Sequence, residues 1–188
     1  AALGYRALKR VNVREQAKPV LQSLAAETLE CAHLAILVNG RAFYAEQATP
    51  DRGISVEAPV GTLAPLYCTA LGKALLAFQA AARREQMISE IAFEAFTRRT
   101  IVDAETLRTH LLVVERDGIA YDDEEFSLGV RCMAAPVFRH DGQVAGAIGI
   151  SGPSPRIGDE RMVRWGELVR RQAAALSTSL GFRKTAAA

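Results

Sequence analysis

Hydrophobic residues recur along this chain at two spacings, one typical of helices and one typical of strands. Apolar side chains follow the helical spacing between Val13 and Leu24. Asn12 followed by Glu15 resembles a capping box, in which two side chains satisfy free amides at the start of a helix. We therefore expect an amphipathic helix that begins near Asn12 and ends near Leu29.

The next segment predicts a β-hairpin. Residues 33–38 and 41–47 have the composition of strands, and the dipeptide at 39–40 is Asn-Gly. Asn-Gly readily adopts the two positive φ angles of a type I′ turn, so it favours a two-residue hairpin loop. A third strand is expected at residues 54–60, and the Pro-Val-Gly at 59–61 is expected to end it.

Helices are expected in the middle of the chain. Residues 69–78 and 83–91 both have helical patterns. Asp103 is a typical N-cap for a helix over residues 104–117, and Gly118 is the residue type that most often ends one.

A second hairpin and a last helix complete the pattern. Residues 130–138 and 144–151 predict two strands joined by the His-Asp-Gly turn at 140–142, and Asp159 begins a helix that ends near Gly181. Hairpins imply an antiparallel sheet, and helices before, within and after it imply an α+β arrangement. The predicted fold class is therefore α+β rather than a doubly wound parallel sheet.

The strands of the second hairpin carry unusually small residues on one face. Side chains alternate across a strand, so the two predicted faces of the last strand are Val144, Gly146, Ile148, Ile150 and Ala145, Ala147, Gly149, Ser151. The isoleucine face is expected to form the core. A surface of Ala, Gly and Ser either receives a closely packed helix or leaves a cavity for a ligand, and both interpretations stay open here.

Four consecutive carboxylates, at residues 122–125, precede this hairpin. Such a run is usually a solvated turn, because like charges buried together raise one another's pKa. At most one or two of these side chains are expected to point inward. An inward carboxylate could accept a hydrogen bond from a hydroxyl group on a small ligand.

Composition restricts the class of protein. The chain has 188 residues, of which 49% are hydrophobic and 23% charged, with a net charge of +2, as in an ordinary globular domain. Basic residues are dense only at positions 6–14, so the sequence does not indicate a basic DNA-binding surface. The cysteines at 31, 68 and 132 match neither a disulfide framework nor a zinc ribbon, which favours a cytoplasmic setting. No apolar run is long enough to predict a membrane span or an export signal.

Other chemistries fit the sequence less well. The Leu-Gly-Lys at 71–73 lacks the first glycine and the final hydroxyl of a phosphate-binding loop, because those positions are Tyr67 and Ala74. The helix start near Thr69 has free amides that favour an anion such as a carboxylate, although every helix has such an end. Cys132 forms no recognisable catalytic or metal-binding motif with any of the three histidines. We therefore expect no enzymatic activity, metal or cofactor.

Four segments together resemble the signatures of the IclR family of bacterial transcriptional regulators. They are residues 65–77 with Thr-Ala-Leu-Gly-Lys, 118–125 with Tyr-Asp-Asp-Glu-Glu, 129–136 with Gly-Val-Arg-Cys-Met and 148–153 with Ile-Gly-Ile-Ser-Gly. The resemblance covers nearly the whole chain and implies the C-terminal effector-binding domain. Its fold is a GAF-like or profilin-like antiparallel sheet of about six strands, flanked by helices. Residues 1–12 would be a remnant of the inter-domain linker, 13–182 the effector domain and 183–188 a tail, without the DNA-binding winged helix-turn-helix.

The resemblance also implies a ligand site. The family's pocket contacts fall on the amides of Ala70 and Leu71, the side chains of Asp122, Cys132 and Ser151, and Val56 as an apolar wall. Many relatives have serine in place of Gly149, which implies a missing hydroxyl and room for a larger ligand here. The implied ligand is a small keto or aromatic acid, whose carboxylate lies at the two amides and whose hydroxyl meets Asp122.

The function implied is that of a sensor. Ligand binding would change how the absent DNA-binding domain of a homodimer or homotetramer holds its operator. The alternative is an oligomerisation module whose pocket is closed by packing.

Overall fold

The computed structural model describes residues 2–51, 56 and 58–183, with only the backbone described for residues 2–12. Within these residues there are five helices: α1 (Ala2–Thr28), α2 (Ala70–Ala77), α3 (Ala81–Ser89), α4 (Ala104–Asp117) and α5 (Asp159–Ser179). The six strands of the same residues are β1 (Cys31–Val38), β2 (Arg41–Ala48), β3 (Leu63–Ala64), β4 (Ala120–Asp123), β5 (Val130–Phe138) and β6 (Val144–Pro153). They form one sheet in the order β3-β2-β1-β6-β5-β4. Every neighbouring pair is antiparallel, so the predicted α+β class is confirmed.

Helices cover both faces of the sheet. One face packs against α2 and α4, and this core contains the small strand residues Ala35, Ala134 and Ala147. The other face packs against α1 and α5, and this core contains Ile148 and Ile150. All eight residues of α2 are buried, because the small residues beneath it let the helix lie close to the strands.

The structure confirms the elements whose signals are local. Asn39 and Gly40 have φ angles of 48° and 72°, as the type I′ turn between β1 and β2 requires. Asp103 accepts a hydrogen bond from the Thr106 amide at 2.8 Å and caps α4. Gly118 ends that helix in the left-handed conformation, with φ 69°.

Two predicted elements are wrong in position. Helix α1 begins at Ala2 and not near Asn12, because residues 2–11 contain mostly good helix formers and no proline. The predicted strand at 54–60 lies partly outside the described residues, and its described residues, 56 and 58–60, are not in a strand. The third strand comes later, at Leu63–Ala64. That residues 1–12 belong to a linker stays a prediction, and most of the predicted tail, residues 184–188, lies outside the described part.

A β-bulge changes the faces predicted for the start of β6. Val137 pairs with Gly146, but Phe138 pairs with Val144, so Ala145 is an extra residue in the ladder. Val144 consequently packs against the α2 core, and Ala145 packs against the α1 and α5 core. Both lie on the face opposite to the predicted one, whereas the predicted alternation holds from Gly146 onward.

Candidate ligand-binding site

A cavity of about 200 Å³ lies between the start of α2 and the ends of strands β4, β5 and β6. All seven predicted site residues line it: Val56, Ala70, Leu71, Asp122, Cys132, Gly149 and Ser151. The remaining lining residues are Tyr44, Ala58, Thr69, Phe126, Ser127, Val130, Met133 and Ile150. The face of small residues therefore both receives a closely packed helix and leaves a cavity. It packs against α2 along part of the helix and leaves the cavity at the helix start.

Strand register places the polar side chains of the cavity floor in one row. Asp122 pairs with Cys132, Cys132 pairs with Ser151, and Ser151 pairs with Cys31. The Cys132 thiol hydrogen-bonds with the side chains of Ser151 and Asp122. Three functional groups from three strands thus meet because directly opposed residues lie on the same face of a sheet.

Asp122 is a buried acid, with 2% of its surface exposed. Its Oδ1 accepts hydrogen bonds from the amides of Glu125 at 2.7 Å and Phe126 at 3.4 Å. Burial, and then the negative charge of Glu125, raise the pKa of Asp122 to about 7, although these hydrogen bonds and Lys73 act against the shift. Near neutral pH the carboxyl group can therefore either donate or accept a hydrogen bond.

The start of α2 offers backbone donors to the cavity. Thr69 caps the helix, because its Oγ1 accepts from the Gly72 amide at 3.1 Å and donates to the Pro65 carbonyl at 2.7 Å. Ala70 and Leu71 are the first two helical residues, whose amides have no acceptor within a helix. These amides and the helix dipole favour an anion such as a carboxylate.

Gly72 makes this geometry possible. A Cβ atom at this position would lie 2.6 Å from both the Pro65 carbonyl oxygen and the Leu66 Cα. The chain before the helix therefore folds back against its first turn only because residue 72 has no side chain.

The four carboxylates of residues 122–125 divide into two inward and two outward groups. Asp122 and Glu125 are buried. Asp123 forms ion pairs with Arg99 and Arg131, and Glu124 accepts a hydrogen bond from the Gly129 amide. The expectation of one or two inward carboxylates is confirmed, but the run is not simply a turn, because its first two residues belong to β4.

A buried ion pair next to the cavity was missed in the sequence. Lys73 Nζ lies 2.5 Å from Glu125 Oε1, and 2% and 9% of the two side chains are exposed. Its signal in the sequence is a lysine one turn into an otherwise apolar helix, and the only motif that includes this lysine is an incomplete phosphate-binding loop. Tyr44 from β2, another lining residue, had no recognisable signal.

Nucleophilic or metal chemistry is not supported by the geometry. Burial and the charge of Asp122 raise the pKa of the Cys132 thiol well above its usual value, so the thiol stays protonated. His33, His110 and His140 are not among the residues that line the cavity. Within the described residues no group of three His, Cys, Asp or Glu side chains could hold a metal ion, and no helix is long and apolar enough to cross a membrane.

Comparison with known proteins identifies the family. Residues 5–178 match the family model of the bacterial transcriptional regulator IclR C-terminal domain. The chain belongs to the IclR family. This IclR domain is 35% identical to the HTH-type transcriptional regulator BhcR of Paracoccus denitrificans over 95% of its own length. It spans 64% of the length of BhcR.

Solved structures show that the IclR domain shares its fold with other members. The IclR structure of Thermotoga maritima superposes with a TM-score of 0.87 at 26% identity, covering 96% of this chain and 73% of that one. The C-terminal domain of KdgR from Escherichia coli superposes with a TM-score of 0.82 at 29% identity, covering 90% and 99%. The predictions of family and of fold are confirmed, and the relatives are named as transcriptional regulators, as the resemblance implied.

Gly149 has a structural role in this IclR domain that the resemblance did not indicate. A Cβ atom there would lie 2.4 Å from the Met133 carbonyl oxygen and 2.9 Å from the Ala134 Cβ. Strands β5 and β6 approach too closely for a side chain, so a serine could enter only if they moved apart. The glycine therefore provides this close approach, and the larger ligand that the resemblance implied stays a prediction.

Proposed function

We propose that this IclR-family C-terminal domain senses a small organic acid, which binds in the cavity at the start of α2. The observation that carries the proposal is the convergence of different hydrogen-bonding groups on one cavity. Two free helix amides, a carboxyl group, a thiol and a hydroxyl all reach it from α2, β4, β5 and β6. Apolar walls with a few convergent polar groups are typical of small-molecule sites.

The ligand carboxylate lies at the amides of Ala70 and Leu71. None of the described residues that line the cavity is Lys or Arg, so the helix dipole and hydrogen bonds balance the ligand's single negative charge. Ser151 and Cys132 are nearby donors, and Asp122 meets a hydroxyl or keto oxygen of the ligand. The volume of about 200 Å³ favours keto acids or single-ring aromatic acids over larger ligands.

Binding shifts an equilibrium in the whole regulator. A ligand held by α2 on one side and by the sheet on the other stabilises the arrangement in which both are correctly placed. The state is passed to a DNA-binding region, and thereby changes operator binding, in a cytoplasmic homodimer or homotetramer. The names of relatives such as BhcR, an HTH-type transcriptional regulator, support this part of the proposal.

Thermal unfolding with a panel of acids tests the proposal. Keto, hydroxy and aromatic acids are each compared with their methyl esters, which lack the anionic carboxylate. A ligand at 100 times its dissociation constant stabilises the folded state by about 2.7 kcal/mol, so the acid raises the Tm and its ester does not. Equal shifts for acid and ester, or no shift at millimolar concentrations, would contradict the proposal.

The second candidate function is an oligomerisation module with a closed pocket. The exposed apolar side chains of Leu112 and Val113 on α4 favour an association surface of some kind. Ala70→Leu and Ser151→Leu separate the two functions. In a sensor these variants lose the ligand response but stay folded and assembled by light scattering, whereas in a packed module they lose about 1 to 3 kcal/mol of stability.

A further inference from the structure

Tyr44 presents an unpaired hydroxyl group to the cavity. This residue lies in β2 and lines the cavity, although only 8% of its surface is exposed. Within the described residues its hydroxyl has no hydrogen-bond partner. Fully enclosed polar atoms without a partner do occur, as at Glu125 Oε2, but the Tyr44 oxygen is not one of them. The oxygen therefore borders open space, and the open space next to Tyr44 is the cavity.

The backbone and the ring of Tyr44 are both held in place. Its amide donates to the Thr62 carbonyl at 2.9 Å, and its carbonyl accepts from the Gly61 amide at 2.8 Å. The ring packs edge-on against the imidazole of His33, with centroids 5.3 Å apart. The hydroxyl is therefore in position before a ligand arrives, so binding does not require this side chain to become ordered.

The charged neighbours of the hydroxyl show which part of the cavity it occupies. Burial raises the pKa of Tyr44, and so do the negative charges of three neighbouring groups, those of Cys132, Asp122 and Cys68. Such interactions weaken with distance, so these groups lie near the hydroxyl. Cys132 and Asp122 belong to the polar row of the cavity floor, and Cys68 comes two residues before the start of α2. The hydroxyl is therefore a protonated donor near both the floor and the helix start.

A buried carboxylate can use more donors than two helix amides supply. Its two oxygens have about four lone-pair positions, and none of the described residues that line the cavity is Lys or Arg. The Cys132 thiol and the Ser151 hydroxyl already hydrogen-bond with each other. The Tyr44 hydroxyl, in contrast, is a donor that no group in the described residues uses. A hydrogen bond to a charged acceptor is about twice as strong as one between neutral groups.

We propose that the Tyr44 hydroxyl donates a third hydrogen bond to the carboxylate of the ligand, beside the amides of Ala70 and Leu71. The proposal rests on the proposed function, because it requires an organic acid in the cavity. Tyr44 then recognises the group that all such acids share. It contributes affinity to aliphatic and aromatic acids alike and does not discriminate between them.

Removal of this one hydroxyl tests the contact. Calorimetry compares the wild-type domain with Tyr44→Phe for pyruvate, lactate, benzoate and 4-hydroxybenzoate. Because the carboxylate is common to these acids, we expect every acid that binds to lose affinity by a similar factor, about 10- to 100-fold. Tyr121→Phe is the matched control, because it removes a hydroxyl on the opposite face of the sheet, against α5, and should leave every affinity unchanged.

Two further measurements separate a binding role from a structural one. Since the Tyr44 hydroxyl has no partner in the described residues, the Tm of Tyr44→Phe without ligand should equal or exceed that of the wild type. A fall in Tm with unchanged affinities would show a structural role and overturn the proposal. In wild type labelled with ¹³C at the tyrosine Cζ atoms, the Tyr44 resonance should shift when an acid binds. Phe variants of the other tyrosines assign this resonance, so the measurement decides the matter if Tyr44→Phe does not fold.

The outcomes for the two proposals differ. Failure of every acid to bind the wild type overturns both the sensor function and the role of Tyr44. Acids that bind equally well to the wild type and to Tyr44→Phe, without moving the Tyr44 resonance, overturn only the role of Tyr44. A loss confined to keto and hydroxy acids also overturns it, because the hydroxyl would then meet the second oxygen of the ligand and not its carboxylate.

Discussion

Among the ionisable side chains that line the cavity, that of Asp122 has a pKa close to neutral pH. Its carboxyl group is buried among the amides of the β4–β5 turn, and Glu125 lies close by. The pKa in the folded state, about 7, is well above the value of 3.8 expected in the unfolded chain. The folded protein therefore holds one more proton than the unfolded protein between about pH 4 and pH 7.

Stability should consequently fall as the pH rises from 4 to 7, by up to about 4 kcal/mol from this group alone, and then level off. Asp122→Asn keeps the oxygen that accepts from Glu125 and Phe126 but cannot titrate. Urea unfolding at several pH values is expected to show that the difference between wild type and variant follows this curve. The lowered pKa of His33 makes stability rise with pH instead of fall. Because His33 is present in both proteins, its contribution cancels in the difference between them. A stability difference that does not vary with pH would show that the pKa of Asp122 is not raised in the folded protein.

Gly149 gives a second prediction for a single residue. Gly149→Ser forces a side chain against the Met133 carbonyl and should destabilise the domain by about 1 to 3 kcal/mol. Gly158→Ser is the matched control, because its Cβ would contact nothing within 4 Å and serine is a favoured residue at the N-cap of α5. Denaturant unfolding measures both, and we expect the control to stay within about 0.5 kcal/mol of wild type. Equal stabilities for the two variants would mean that the strands separate easily.

At the scale of whole elements, a buried ion pair holds helix α2 to the turn between β4 and β5. Lys73 reaches out of the helix to Glu125, and Thr100 Oγ1 donates to the Glu125 carbonyl at 2.6 Å. Thr97 Oγ1 donates to the neighbouring Glu124 carbonyl at 2.7 Å. The turn that supplies the amides for Asp122 is therefore fixed from two sides, which keeps the cavity open in a defined shape.

A double-mutant cycle on this pair is expected to be strongly non-additive. Lys73→Met or Glu125→Leu alone leaves one buried charge without a partner and should cost about 3 to 5 kcal/mol. The double variant removes both charges, so its loss of unfolding free energy should be smaller than the sum of the two single losses. Its stability should equal or exceed that of the single variants. Urea unfolding gives the four free energies. Additive losses would indicate that the two charges do not interact in solution.

Local elements could be predicted from the sequence, and elements that depend on distant contacts could not. The Asn-Gly hairpin and the Asp103 cap are encoded within a few residues, and both are correct. The bulge that moves Val144 to the other face depends on how β5 and β6 pack, which no local pattern specifies. Lys73 and Glu125 are 52 residues apart, so their pairing became visible only in the fold.

The candidate site divides in the same way. Period-two alternation was enough to place Cys132 on the β5 face and Ser151 on the β6 face that together form the cavity floor. The position of Asp122 in that row came from the resemblance, because the acidic run by itself indicated a turn.

At the scale of the whole molecule, one sheet lies between two layers of helices. The cavity lies on one side of the sheet only, between the strands and α2. Helix α2 covers the cavity, while α1 and α5 pack on the far face. The proposed ligand would therefore restrain α2 and the β4–β5 turn directly, and it would affect the helices of the other face only through the strands.

Hydrogen exchange measures this asymmetry across the molecule. With a saturating concentration of the acid that gives the largest thermal shift, exchange should slow most at residues 69–74 and 122–131. Residues 163–176 of α5 form the internal reference and should change least. Uniform slowing across both layers would point to general stabilisation instead of a local restraint.

The hydrogen-bonded thiol of Cys132 has a consequence for the kinetics of sensing. Keto and aldehyde acids are electrophiles, and a thiolate beside them would add to the carbonyl carbon, giving a thiohemiketal or a thiohemiacetal once the resulting alkoxide takes up a proton. Burial and Asp122 keep this sulfur protonated, so an electrophilic acid in the cavity meets a poor nucleophile. In the sensor proposed above, occupancy would then follow the free concentration of the acid in both directions, and the signal would end when the acid is consumed.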